Sequence, residues 1–94
     1  MKIFIIANWK MNPQTLVDAQ QIFDTVAQGV KNSTNLEVVM CPPFLYISHL
    51  KNENLKTGGQ DCFYEEDGAF TGEISPIMLK NIGCEYVILG HSER

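Results

Sequence analysis

The chain has 94 residues, enough for one small domain at most. Its apolar share of 45% fits a globular chain and excludes a disordered one. A net charge of −4 argues against nucleic acid or anionic lipid as a partner, and no stretch approaches the ~20 apolar residues of a membrane span.

Residues 3–7 form a short, continuous, β-branched apolar run of the kind found in strands covered on both faces, as in parallel sheets. This start is too short for the apolar core of a signal sequence, and Asn8-Trp9-Lys10 ends it without a small-residue cleavage site. A cytosolic location is the expectation. Leu16, Ala19, Phe23, Val26 and Val30 then recur at three and four residues and predict one apolar helix face. Pro13 before them and Gly29 near the end fit the usual order of those residues around a helix.

Residues 38–41 repeat the buried-strand pattern, and Pro42-Pro43 stops it because neither residue can donate to a ladder. Residues 44–50 are a short helical candidate, with His49 a surface or boundary residue. Residues 56–61 are a weaker strand, since Gly58-Gly59 lowers propensity. Residues 62–73 make a long polar connection, a length that in a compact unit usually serves function or an interface. Ser75-Pro76 reads as an N-cap followed by proline at the first helical position. Ile77, Met78, Leu79 and Ile82 supply the helix body, and Gly83 the stop. Residues 86–89 form a last buried-looking strand. The order β-α-β-α-β-loop-α-β implies parallel strands with right-handed crossovers. An open doubly wound sheet and part of a closed barrel both satisfy it.

Cys41, Cys62 and Cys84 are an odd number, far apart and without a CxxC pair, so neither a disulfide framework nor a zinc site is expected. The acidic group Asp61, Glu65, Glu66, Asp67 and Glu73 does not follow a calcium-loop spacing and reads as a solvated loop. Dinucleotide, P-loop and nucleophile-elbow glycine motifs are absent. Two residues sit where parallel α/β proteins place chemistry, at the C-terminal ends of strands. Lys10 follows the first strand, where an ammonium can meet an anion or stabilise charge on oxygen, or simply be solvated. His91 lies two residues past Leu89 at the same end, where it can donate to a carbonyl oxygen and move protons, or merely terminate a strand.

Asn8-Trp9-Lys10-Met11-Asn12 together with Gly90-His91-Ser92-Glu93-Arg94 resembles the triosephosphate isomerase family. The middle agrees: Cys41-Pro42-Pro43, Gly59-Gln60-Asp61 and Gly68-Ala69-Phe70-Thr71-Gly72-Glu73-Ile74-Ser75 follow in the family's order and spacing. The resemblance spans the whole chain and implies the α/β (β/α)8 barrel, of which residues 1–94 would be a partial domain with about four strands and three helices and no second domain. It implies interconversion of dihydroxyacetone phosphate and glyceraldehyde 3-phosphate through an enediol(ate), in glycolysis and gluconeogenesis, without cofactor or metal. It implies that Lys10 meets the substrate and developing oxyanion with Asn8 beside it, and that Trp9 belongs to the substrate-binding segment. It further implies that His91 is a neutral electrophile and Glu93 supports the pair. Thr71 would reach a partner subunit's active site in a homodimer, and Glu73 and Arg94 would pair across that interface. Asp61 stands where many relatives are expected to carry asparagine, a tolerated variation.

A barrel of this type takes roughly 250 residues. The resemblance places the catalytic glutamate base, the lid and the phosphate loops beyond Arg94, and the helix whose dipole acts on His91 would begin near Ser92. The chain by itself is therefore expected to be inactive, with its first and fourth strands left as bare edges. It would self-associate into a non-catalytic half-barrel assembly, require the remaining residues, or be part of a longer protein.

Overall fold

The computed structural model describes residues 1–91 and 93. Four parallel strands, β1 (Ile3–Asn8), β2 (Leu36–Cys41), β3 (Lys56–Gly59) and β4 (Tyr86–Val87), lie side by side in chain order. Three helices connect them: α1 (Leu16–Val30), α2 (Phe44–Ile47) and α3 (Pro76–Asn81). In the β1–β2 register Ile3 pairs with Leu36 and Asn8 with Cys41, so the two strands end together. Gly58 and Gly59 of β3 pair with Tyr86 and Val87 of β4. Among the described residues no helix is long and apolar enough to cross a membrane.

Helix boundaries follow the local chemistry. The Thr15 hydroxyl accepts the Asp18 amide and caps α1. Gly29 lies within the helix rather than after it, and Lys31 ends α1 in ordinary helical backbone. The Ser75 hydroxyl accepts the Met78 amide, with Pro76 at the first turn of α3. At its other end the Gly83 amide bonds the Lys80 carbonyl and the Cys84 amide bonds the Leu79 carbonyl. This double closure needs Gly83 at its φ of +100°.

Side-chain alternation separates two faces of the sheet. Val38 and Met40 point outward and pack with Ala19, Phe23 and Ala27 of α1 and with Tyr46, Leu50 and Leu55. A second cluster joins Ile47, Leu79 and Cys84. Phe4 and Ile6 of β1, Glu37 and Val39 of β2 and Tyr86 of β4 point to the other face. In a flat sheet the first and fourth strands stand roughly 14 Å apart. Yet the Phe4 and Tyr86 rings meet edge to face at 6.4 Å between centroids, and the Tyr86 hydroxyl donates to the Glu37 carboxylate. Inward side chains from the two outer strands meet because the sheet curls, in the manner of half a barrel. The Tyr86 hydroxyl is the main influence holding the Glu37 carboxyl below its usual range, opposed by desolvation and aided by Lys2. The same bond raises the Tyr86 phenol.

Several expectations are corrected. The run at residues 3–7 forms a strand, but it is not covered on both faces: Ile3, Phe4, Ile5 and Ile6 are 46–57% exposed. Its ladder partner is β2 alone, and its inward residues face the open concave side. The last strand is two residues long instead of four, and Leu89 is 65% exposed. A run of apolar residues encodes strand formation locally, whereas burial depends on what lies across the fold. Likewise β3 ends at Gly59, two residues short of the expected end. In α1, Leu16 is 38% exposed while Ala27, outside the predicted apolar set, is buried. Ile77 and Met78 of α3 also lie at the surface, leaving Leu79 as its anchor.

The glycines of β3 are there for clearance. A Cβ at Gly58 would stand 3.0 Å from the Cys41 sulfur and 3.1 Å from the Tyr86 carbonyl oxygen. The carbonyl belongs to backbone and cannot swing away. Gly58→Ala is therefore expected to lower stability by about 1–3 kcal/mol, seen as a lower thermal midpoint. An unchanged midpoint would show that β3 and its neighbours have slack.

Candidate functional site

Strand ends assemble the site. Where β1 ends, the Asn8 side-chain oxygen accepts the Lys10 amide at 2.9 Å, a two-residue turn of the kind asparagine favours. Lys10 then adopts φ 59°, left-handed backbone that a non-glycine residue rarely takes and that costs about 1–2 kcal/mol. The segment after it is fastened twice. Gln14 donates from Nε2 to the Met11 carbonyl at 2.8 Å, and the Tyr46 hydroxyl of α2 donates to the Pro13 carbonyl at 3.0 Å. Directly after β3, Gln60 donates from Nε2 to the carbonyls of Lys10 (2.7 Å) and Cys41 (2.9 Å).

Past β4, Gly90 at φ 66° turns the chain into His91. The Glu93 carboxylate joins the two ends. Its Oε2 lies 3.2 Å from Lys10 Nζ and its Oε1 3.3 Å from His91 Nδ1. Lys10 and Glu93 side chains are both more than half exposed, so this pair adds little stability and instead marks where Lys10 and His91 converge. The Glu93 backbone amide donates to His91 Nδ1 at 3.1 Å. A nitrogen that accepts carries no hydrogen, which puts the imidazole proton on Nε2. The contact between Nδ1 and the carboxylate would be attractive only with a hydrogen on Nδ1 instead. The amide bond requires the neutral form at that nitrogen.

Asn8, Lys10, Met11, Phe44, Gln60, Asp61, His91 and Glu93 together line a cleft of about 250 Å³ at this rim. Asn8, Lys10, His91 and Glu93, singled out from sequence, are thus brought together. Trp9 is not: its side chain packs against the α1 cluster on the outer face. Thr71 and Glu73 lie on the 62–75 loop, away from the cleft. Phe63 stacks there on Tyr64 and Phe70 at 4.5 Å, and the Phe63 amide bonds the Ile74 carbonyl. Ser92 and Arg94, expected at a helix start and an interface, lie outside the described residues. Gln60, Met11 and Phe44 were not anticipated as lining residues. For Gln60 the available signal was its place directly after Gly58-Gly59, at the same sheet end as Lys10.

Cys41 and Cys84 are not nucleophile candidates at this rim. Burial, with a smaller contribution from Cys84, pushes the Cys41 thiol up to about 11. Burial also raises Cys84, opposed by its hydrogen bond with Thr57.

Residues 3–94 match the family model described as triosephosphate isomerase. The chain belongs to the triosephosphate isomerase family. Among similar proteins, the triosephosphate isomerase of Aquifex aeolicus is 47% identical over 98 residues, covering 100% of this chain and 39% of that protein. That of Alkaliphilus oremlandii is 50% identical over 97 residues, covering 99% of this chain and 38% of its own length. That of Dictyoglomus thermophilum is 47% identical over 94 residues, with 96% and 37% covered. The chain therefore spans about two fifths of the length of the curated relatives it matches. Family membership and the curled parallel sheet agree on the architecture, and the doubly wound alternative is set aside.

Proposed function

We propose that this chain supplies the electrophilic side of a triosephosphate isomerase site, acting on dihydroxyacetone phosphate and glyceraldehyde 3-phosphate. The observation that carries the reading is the approach of Lys10 Nζ and His91 Nδ1 to one Glu93 carboxylate, within 3.3 Å of each. When a base removes the proton next to the substrate carbonyl, negative charge develops on the carbonyl oxygen. The Lys10 ammonium opposes that charge, with Asn8 holding the turn that presents it. His91, with its proton on Nε2, donates to the same oxygen and then carries protons between the two oxygens of the enediolate. Glu93 keeps the pair in register before substrate arrives, and its backbone amide fixes the histidine tautomer. On this reading the protein works in the cytoplasm, in glycolysis and gluconeogenesis. In the complete barrel, Thr71 and Glu73 belong to a homodimer contact.

The base, lid and phosphate loops belong, on this reading, to the three fifths of the fold that these residues do not span. Lack of a positioned base alone costs about 10²–10⁴-fold in rate. The expected result is no measurable turnover of glyceraldehyde 3-phosphate by the chain alone, and turnover once a polypeptide carrying the remaining part of a family member is added. Near-enzyme rates from the chain alone would contradict this division of labour. The exposed Ile3, Phe4, Ile5 and Ile6 favour a second reading, a half-barrel that associates with its own copies through β1. A monomer with native-like spectral dispersion on sizing chromatography would end it.

A further inference from the structure

We propose that Gln60 is a positioning residue for Lys10, clamping its left-handed backbone so that the ammonium reaches the cleft; this rests on the reading of Lys10 given above. Lys10 has φ 59° although it carries a side chain, and such a conformation persists only where surrounding groups over-determine it. Two side chains do so, one on each side of the residue. The Asn8 oxygen takes the Lys10 N–H, and Gln60 Nε2 takes the Lys10 carbonyl. The last backbone bond joining β1 to β2 at this end runs from the Trp9 amide to the Cys41 carbonyl at 3.1 Å. Gln60 continues that ladder with a side chain, spending one Nε2 hydrogen on Lys10 and the other on Cys41. Both partners are acceptors, so the nitrogen must face them; a flipped amide would set oxygen against two carbonyls. Length matters as well. Asparagine is one methylene shorter, and glutamate when ionised has nothing to donate. The preceding Gly58 and Gly59, packed against Cys41 and Leu79, bring the end of β3 close enough for one amide to span two strands.

The test uses the isotope-labelled 94-residue chain, with Lys10 backbone chemical shifts as one readout and titration with dihydroxyacetone phosphate as the other. In Gln60→Met, Lys10 is expected to leave the left-handed shift range and affinity to fall roughly tenfold, as loss of these hydrogen bonds implies. The Trp9 amide should stay protected, which separates positioning from general loosening of the sheet. Unchanged Lys10 shifts would overturn the proposal. Should Gln60→Met fail to fold, Gln60→Glu decides. Below its own ionisation the acid donates one hydrogen and restores part of the left-handed population, and above it two acceptors face two carbonyls. Lys10 shifts in Gln60→Glu that ignore pH would equally overturn the proposal. Lys10→Met separates the two claims. Full affinity in that variant refutes the reading of Lys10, while the backbone shifts still judge Gln60.

Discussion

Replacing Lys10 with methionine is expected to weaken binding of dihydroxyacetone phosphate by about 10–100-fold, from loss of a charged contact worth roughly 1.5–3 kcal/mol. Methionine keeps the unbranched stem of the side chain without the ammonium and is no easier to hold in left-handed backbone, so the change chiefly removes the charge. A second effect acts in the same direction. Glu93 Oε2 loses the ammonium at 3.2 Å, leaving its carboxylate facing an anionic ligand. Because the pair is exposed, the affinity of the unmodified chain should fall with added salt, and that of Lys10→Met should fall less. Calorimetric titration at two ionic strengths reads both quantities. Equal affinities for the two proteins would remove Lys10 from the site.

The largest loss of stability is expected at Phe23. It is wholly buried in the middle of α1, between Ala19 and Ala27 on the same face, against Val38 and Met40 of β2. Its neighbours on the helix are alanines, which cannot extend to fill the space its ring would vacate. Phe23→Ala should therefore cost about 3–5 kcal/mol, a large share of the 5–15 kcal/mol typical of a whole domain. Ile22, next to it and 42% exposed, is the control, and Ile22→Ala should cost under about 1 kcal/mol. Urea denaturation of the two variants compares them directly. Similar midpoints would mean that α1 is not seated on β2 as described. Loss of α1 would reach the site as well, since the turn bearing Lys10 runs directly into that helix.

Much of the local structure was legible because its causes are local. Spacing gave α1, proline gave the end of β2, and Ser75, Pro76 and Gly83 gave both ends of α3. The site was legible in part. Lys10 and His91 each follow a strand, and parallel strands place such residues at one rim. Of what joins them, Glu93 was legible only through the family resemblance, and Gln60 as a link not at all. The Gln60 bond to Lys10 spans fifty residues, and Glu93 reaches back eighty-three to Lys10. No periodicity records a contact at that separation. The left-handed backbone at residue 10 was hidden for another reason: a lysine there gives none of the warning a glycine would. The exposure of β1 was misjudged because an apolar strand reads the same whether or not something lies across it.

The most direct test of the convergence of Lys10 and His91 on one ligand is a map of amide shift changes in the labelled chain as dihydroxyacetone phosphate is added. The largest changes are expected together on Lys10, Gln60, His91 and Glu93, with α1 and the 62–75 loop unmoved. Changes centred on the groove between α3 and β4, or at Lys10 without His91, would contradict it.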